Sequence, residues 1–259
     1  FEREKLGEVY KAFSQYKGVS YFHDARRFLY YDRLVDANVG DPLIKSIIEF
    51  HESIVPPRDV IVNPFDRLSC GFVKSYPGIL ATVSLMSVRR ECIEDKLALL
   101  RGVRMAVEDF IPAFAAECGL LYHTGKRLTR YRVHSRNNSI ALTRRDQIRR
   151  YTYYMKQIED FKQLLLPNIL PKNCVREVIK LRLLGFKLAL YYAPEDVKLS
   201  LRYRGDTLET LRDILELCRL ERHSPSYCIL SLLNALYYGL PVKPLRRRRA
   251  AAPNRAREG

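Results

Sequence analysis

The alternation of apolar and polar residues predicts a mixture of helices and strands over the first 145 residues. Four apolar residues recur at helical intervals within residues 1–16, namely Leu6, Val9, Tyr10 and Phe13. Residues 19–22 are strand formers, and residues 60–88 hold short apolar runs broken by prolines, so we expect strands and loops there. Asp41-Pro42 predicts a further helix start, because a capping carboxylate precedes a proline suited to the first turn.

Two segments after residue 88 have clear boundaries. Residues 89–101 have helical spacing, and Glu108-Asp109 places acidic residues in the first turn of a helix that Gly119 would end. Residues 120–133 follow as strand formers on both sides of Thr124-Gly125, which predicts a β-hairpin.

After residue 146 the apolar spacing is helical throughout. Its members fall into three runs: Ile148, Tyr151, Met155, Ile158, Phe161 and Leu165; Val175, Ile179, Leu183, Phe186 and Leu190; and Leu208, Leu211, Leu215 and Cys218. Ser224-Pro225 would open a fourth helix. We therefore predict a mixed α/β region over residues 1–145, a helical appendage over residues 146–245, and a disordered arginine-rich tail over residues 246–259.

The composition excludes a disordered chain, and the net positive charge is concentrated in two segments. The 259 residues are 47% hydrophobic, which is enough for a core, yet the net charge is +16. Residues 126–150 carry nine basic side chains and one acidic one, and residues 246–259 carry six arginines and one glutamate. Because the excess is concentrated in two short segments, it favours a local anion site and a membrane-facing end over a nucleic-acid track.

The ends and the cysteines bear on location. The given sequence does not open on a signal-peptide pattern, and its six cysteines lack zinc-ligand spacing, so we expect reduced thiols in a cytoplasmic protein. Residues 227–242 form an apolar run followed by Arg246–Arg249. Two interpretations stay open for this run: a buried core helix, or an interfacial helix at the anionic inner face of the membrane.

Common catalytic motifs are missing from the sequence. It contains no P-loop, no G-x-G-x-x-G, no G-x-S-x-G, no H-E-x-x-H and no D-x-D pair. Two constellations remain, Val107–Phe110 and Tyr131–Ser139.

These constellations, in their order, resemble the C-terminal half of a family 2 glycosyltransferase of the GT-A fold. The similar features are a helix with Phe1, Lys5-Leu6 and Phe13, a strand leading to His23-Asp24, the segment Leu80–Arg90, the helix start Glu108-Asp109, and the run from Lys126 to Ser139 containing Tyr-Arg-Val-His. The resemblance covers residues 1–145, and it implies a partial GT-A-like α/β fold. The nucleotide-binding half with its D-x-D motif is absent, so the resemblance implies an acceptor-side portion that is inactive alone.

The resemblance also implies an activity. Such an enzyme transfers a sugar, here with inversion, from a nucleotide-sugar donor to a glycan or lipid-linked acceptor. Asp109 would be the general base beside Glu108, and a divalent metal, Mg²⁺ or Mn²⁺, is expected. Arg132, His134 and Arg136 would bind the diphosphate, with His134 a candidate metal ligand.

Each of these residues also has a plainer interpretation. Asp109 could be only a first-turn carboxylate favoured by the helix dipole, and His134 a hydrogen-bonded loop histidine. Two other functions remain open. One is a basic nucleic-acid-binding module that stacks bases on Tyr131, Tyr151, Tyr153 and Tyr154, and the other is a non-catalytic helical interaction protein.

Overall fold

Two long strands that run side by side in the same direction organise the fold. In the computed structural model, which describes residues 1–30, 42–105, 107–133 and 143–221, strand β1 is Val19–Tyr30 and strand β4 is Leu120–Val133. Two short strands, β2 (Val60–Val62) and β3 (Met86–Val88), pair antiparallel with β4 and β1 respectively. The sheet order is β2-β4-β1-β3, so the protein has a mixed α/β architecture.

Helices make up most of the rest of the described chain. In chain order they are α1 Lys5–Gln15, α2 Pro42–Ser53, α3 Arg67–Ser75, α4 Leu97–Arg101, α5 Val107–Cys118, α6 Arg144–Asp160, α7 Cys174–Tyr191, α8 Glu195–Leu201 and α9 Thr207–Glu221. Short 3₁₀ turns occupy Pro77–Leu80, Val83–Leu85, Arg90–Cys92, Glu94–Lys96 and Leu166–Asn168, and a π-helical turn occupies Phe161–Leu165.

Side-chain caps fix the starts of several helices. Thr143 and Asp146 form a reciprocal capping box at the start of α6, and the Asn173 side chain accepts from the Val175 amide at the start of α7. Asp66 caps α3 by accepting from the Ser69 amide. These contacts satisfy amides that have no partner inside the helix.

The two parallel strands begin at a pair of glycines. Gly18 has a φ of +86°, and the Leu120 amide donates to the Gly18 carbonyl over 2.7 Å. A Cβ on Gly119 would collide with that carbonyl oxygen. The close approach of the two strand starts therefore depends on glycine at position 119.

The main core lies between one face of the sheet and the helices α5 and α7. Its fully buried members include Tyr21 and Leu121 from the strands and Phe110, Phe114, Phe161, Val175 and Ile179 from the helical layers. A smaller core on the other face packs α1 against the sheet through Ala12, Val19, Phe22, Tyr122 and Leu128.

The main core joins segments from both sides of residue 145. The chain divides into one compact unit over Phe1–Gly205 and a second over Asp206–Gly259. The sequence-based boundary at residue 145 therefore falls inside the first unit, because helices α6 and α7 share the core of α5 and the sheet. Within the second unit the described part is α9, and the Asp206 carboxylate caps it by accepting from the Leu208 and Glu209 amides.

Several local predictions are confirmed and two are wrong. The predicted helices at α1, α2, α5, α6, α7 and α9 are present. Residues 120–133 form one continuous strand and not a hairpin, because Thr124-Gly125 is accommodated where the register between β1 and β4 shifts. Residues 60–88 contain helix α3, which the sequence analysis placed among strands and loops.

The thiols also differ in part from expectation. Cys70, Cys92, Cys118 and Cys174 are free, whereas Cys218 is disulfide-bonded, so the expectation that every cysteine is reduced is wrong at Cys218. The apolar run 227–242, the helix predicted at Ser224-Pro225 and the arginine-rich tail lie outside the described residues.

Candidate functional site

The first turn of α5 carries the two carboxylates singled out by the sequence. Asp109 is 1% exposed and forms an ion pair with Arg182 of α7. Arg182 also donates to the carbonyl of Pro77 over 2.7 Å and to that of Leu80 over 3.3 Å. One guanidinium therefore ties the start of α5 to the start of the segment Leu80–Arg90.

Two effects oppose each other at Asp109. Burial raises the pKa of its carboxyl above the usual value, and the Arg182 guanidinium counteracts part of that rise. The ion pair favours the charged carboxylate, which is the form that can accept a proton.

Glu108 is the more accessible carboxylate of the pair. Its side chain is half-buried, and the Tyr153 hydroxyl lies 2.9 Å from Oε1. Burial and, second, the neighbouring negative charge of Asp109 raise the pKa of Glu108. Two adjacent carboxylates in different surroundings are a usual arrangement for proton transfer.

The segment after Pro77 is held in an unusual conformation. The Tyr21 hydroxyl donates to the Ile79 carbonyl over 2.7 Å, and Thr82 has a φ of +71°. A β-branched residue rarely adopts positive φ, and such strain of about 1–3 kcal/mol concentrates at functional sites. The Thr82 hydroxyl lies 3.3 Å from Nη1 of Arg26, a buried residue of β1.

Two buried histidines, one on each long strand, lie side by side. Nδ1 of His23 and Nδ1 of His123 are 2.8 Å apart, and Nε2 of His123 is 3.0 Å from the Pro56 carbonyl. Burial lowers the pKa of both, to about 4 for His123, so both rings are neutral at pH 7. The network assigns Nε2–H of His123 as donor to Pro56 and Nδ1–H of His23 as donor to His123.

A buried ion pair occupies the other face of β1. Lys5 Nζ lies 2.6 Å from Asp24 Oδ1 and donates to the Thr129 hydroxyl and the Ser84 carbonyl, both over 2.7 Å. Burial raises the pKa of Asp24, and the Lys5 ammonium opposes that rise. Lys5 thus links α1, both long strands and the segment that follows Thr82.

The structure brings only some of the predicted site residues together. Glu108 and Asp109 share one turn, whereas Arg132 is an exposed residue near the end of β4, opposite Leu29 of β1. His134 and Arg136 lie outside the described residues.

Sequence reasoning missed the partners of the predicted residues. The main omissions are Arg182 and Arg26, because neither belongs to a recognisable motif. A signal was present for His23 and His123: both are polar residues that interrupt otherwise apolar strand starts.

The expected divalent metal finds no set of ligands in the described part of the chain. Within those ranges no group of three or more His, Cys, Asp or Glu side chains is arranged to hold an ion. The ligand that the sequence offers, His134, lies outside these ranges, and we derive no step through a metal.

No known protein family, curated protein sequence or solved structure matches this chain. Among the helices of residues 1–30, 42–105, 107–133 and 143–221, none has the length and apolarity needed to cross a membrane.

Proposed function

We propose that the chain is the acceptor-side portion of a nucleotide-sugar-dependent glycosyltransferase with a GT-A-like fold. One observation carries the proposal: Arg182 contacts both Asp109 and the Leu80 carbonyl. Two segments that the resemblance singles out, the Glu-Asp helix start and Leu80–Arg90, are thus neighbours in space, although Leu80 and Asp109 are 29 positions apart in sequence.

The chemistry requires a base next to the acceptor. In an inverting transfer the acceptor oxygen forms a bond to the anomeric carbon, its proton passes to a carboxylate, and the nucleoside diphosphate leaves with the electrons of the broken bond. Asp109 is the proposed base, because the Arg182 guanidinium favours its charged form and opposes part of the rise in pKa that burial causes. Glu108 is the member of the pair that solvent reaches, and it is the second candidate.

The proposed donor side is basic. Arg132 near the end of β4 presents a guanidinium suited to two phosphate oxygens, and the proposal includes His134 and Arg136 from the sequence. An anionic membrane surface beside the arginine-rich end, and a location at the inner face of the membrane, are parts of the same proposal.

The nucleic-acid alternative has less support from the tyrosines. Tyr154 stacks on Phe186 with ring centroids 4.7 Å apart, and Tyr153 is engaged with Glu108. Tyr151 packs edge-on against Tyr154. Side chains already engaged within the fold are poor stacking platforms for bases.

The test measures transfer by the protein from its complete coding sequence. Release of nucleoside diphosphate from UDP-, GDP- and dTDP-linked sugars is followed with a lipid extract of the host membrane as acceptor. Asp109→Asn is expected to lower kcat by about 100- to 10,000-fold, as loss of a general base does. Glu108→Gln is compared directly, since it tests the second candidate.

The control is Asp95→Asn, which alters an exposed carboxylate on a neighbouring 3₁₀ turn. Circular dichroism checks that each variant is folded. Transfer at the wild-type rate by Asp109→Asn, Glu108→Gln and the folded double variant would contradict the assignment of the base to this pair. No transfer by the wild type from any of the donors would contradict the proposed activity.

A further inference from the structure

Arg26 is a buried cation in the middle of β1. Arg26 is 5% exposed. Its guanidinium carbon lies 5.7 Å from the centre of the Phe28 ring and 5.3 Å from the centre of the Tyr131 ring. The rings offer cation–π attraction, but they do not accept the in-plane N–H bonds of the guanidinium. Burial lowers the pKa of Arg26.

Among the residues that the structure describes, the guanidinium has one hydrogen-bond partner. Nη1 lies 3.3 Å from the Thr82 hydroxyl oxygen, whereas neither Nε nor Nη2 has an acceptor among the described residues. Within the same ranges no carboxylate forms an ion pair with Arg26. The nearby acids are engaged elsewhere, Asp24 with Lys5 and Glu52 with Arg127.

This combination is costly without a counter-ion. A buried charge normally has an ionic or fully hydrogen-bonded partner, because removing it from water costs several kcal/mol. His51, whose pKa burial and the charge of Arg26 lower to about 4, is neutral at pH 7 and supplies no negative charge.

The two N–H groups of Arg26 without an acceptor, at Nε and Nη2, point in the same direction. Nε–H and the adjacent Nη2–H lie on the same edge of the planar guanidinium, and this edge binds two oxygens of one oxyanion side by side. The Thr82 hydroxyl oxygen accepts from Nη1, so its own hydrogen is a further donor on the Nη1 side of the guanidinium. Thr82 is also the residue with the strained φ of +71°.

We propose that Arg26 anchors a binding site for a phosphate group, with Thr82 as the second donor. The Nε–H and Nη2–H edge binds two oxygens of the phosphate, the Thr82 hydroxyl supplies a further donor on the Nη1 side, and the charge of the ligand supplies the missing counter-ion. The proposal goes beyond the proposed transfer reaction and does not need it, because binding is measured without any sugar. The phosphate could belong to a soluble nucleotide or to a lipid headgroup, and the experiment separates these sources.

The experiment titrates the full chain with inorganic pyrophosphate in a calorimeter, at ionic strength held constant with chloride. Variants are Arg26→Met, Arg26→Lys and the control Arg27→Met, which removes an exposed arginine from the next position of β1. Arg26→Met is expected to weaken pyrophosphate binding by more than about ten-fold, and Arg26→Lys to weaken it because the planar fork is lost. Arg27→Met is expected to bind like the wild type.

A second readout separates a binding role from a structural one. Without pyrophosphate, Arg26→Met is expected to melt at or above the wild-type temperature, since it removes an uncompensated buried charge. Undiminished pyrophosphate binding by Arg26→Met, absence of binding by the wild type, or a folded variant that melts well below the wild type without the anion would each overturn the proposal.

Two further probes identify the source of the phosphate. Uridine diphosphate and phosphatidylcholine vesicles containing phosphatidic acid are offered separately to wild type and Arg26→Met. Arg26-dependent binding of the nucleotide assigns the site to a soluble ligand, and Arg26-dependent binding of the vesicles alone assigns it to a headgroup. Arg26-independent binding of both would contradict the site.

Discussion

Asp109 and Arg182 form an ion pair in which the carboxylate is shut off from solvent while the guanidinium is one-fifth exposed. The pair joins the first turn of α5 to the middle of α7. Arg182 adds two bonds to backbone carbonyls, so the same contact fixes the loop that starts at Pro77. A base proposed for catalysis is therefore also part of the framework.

Breaking this pair from one side is expected to destabilise the fold. Asp109→Asn leaves the Arg182 charge without its partner, which costs about 3 kcal/mol in the free energy of unfolding. The double variant Asp109→Leu/Arg182→Met is expected to recover part of that loss, because no buried charge remains although the Pro77 and Leu80 carbonyls lose their donor. Urea denaturation measures both, and Asp95→Asn is the exposed control. Equal losses for the single and double variants would show that the pair is not coupled.

The histidine pair predicts a dependence of stability on pH. The folded pKa of each ring lies below its unfolded value, so below about pH 6.5 the unfolded chain binds more protons. Stability is therefore fully present above pH 6.5 and falls as the pH approaches 4, by up to about 1.4 kcal/mol per pH unit for each histidine.

The measurement compares wild type with His23→Leu/His123→Leu. The difference between their unfolding free energies isolates the pair from His51, whose pKa is also lowered, and from the carboxylates. A difference that stays constant between pH 4 and 6.5 would contradict neutral rings in the folded protein.

The sequence predicts the helices better than the contacts between them. Glu108-Asp109 and Gly119 bound α5 correctly because helix starts and ends depend on local residues. The hairpin at Thr124-Gly125 failed because a distant residue decides the conformation: the Asp59 carboxylate accepts from the Thr124 hydroxyl and the Gly125 amide. A turn-forming dipeptide was thus recruited into a parallel strand.

The residues of the candidate site also differ in whether the sequence predicts them. Asp109 could be found from its motif, yet its partner Arg182 is 73 residues away and belongs to a helix predicted only from apolar spacing. Arg26 has no motif at all. Its burial without a counter-ion appears only when β1, Thr82 and the Tyr131 ring are placed together.

Two glycine substitutions, one at the start of the parallel strands and one in α1, are expected to have opposite effects on stability. Gly119→Ala places a methyl group against the Gly18 carbonyl and forces the strands apart, with an expected loss of more than about 2 kcal/mol. Gly7→Ala in α1 meets nothing within 4 Å, and it is expected to stabilise by about 0.5–1 kcal/mol through helix propensity. Thermal unfolding of the two variants compares them, and a neutral Gly119→Ala would mean that the contact can relax.

Thr82 allows strain to be separated from its hydroxyl. Thr82→Gly and Thr82→Ala both remove the donor beside Arg26, so both are expected to weaken pyrophosphate binding several-fold. Only glycine adopts a φ of +71° without penalty, so Thr82→Gly is expected to be more stable than Thr82→Ala by about 1 kcal/mol. Thermal unfolding and calorimetry measure the two effects independently. Greater stability with unchanged binding would indicate strain that serves no ligand, whereas greater stability with weaker binding is what a site strained to hold a phosphate requires.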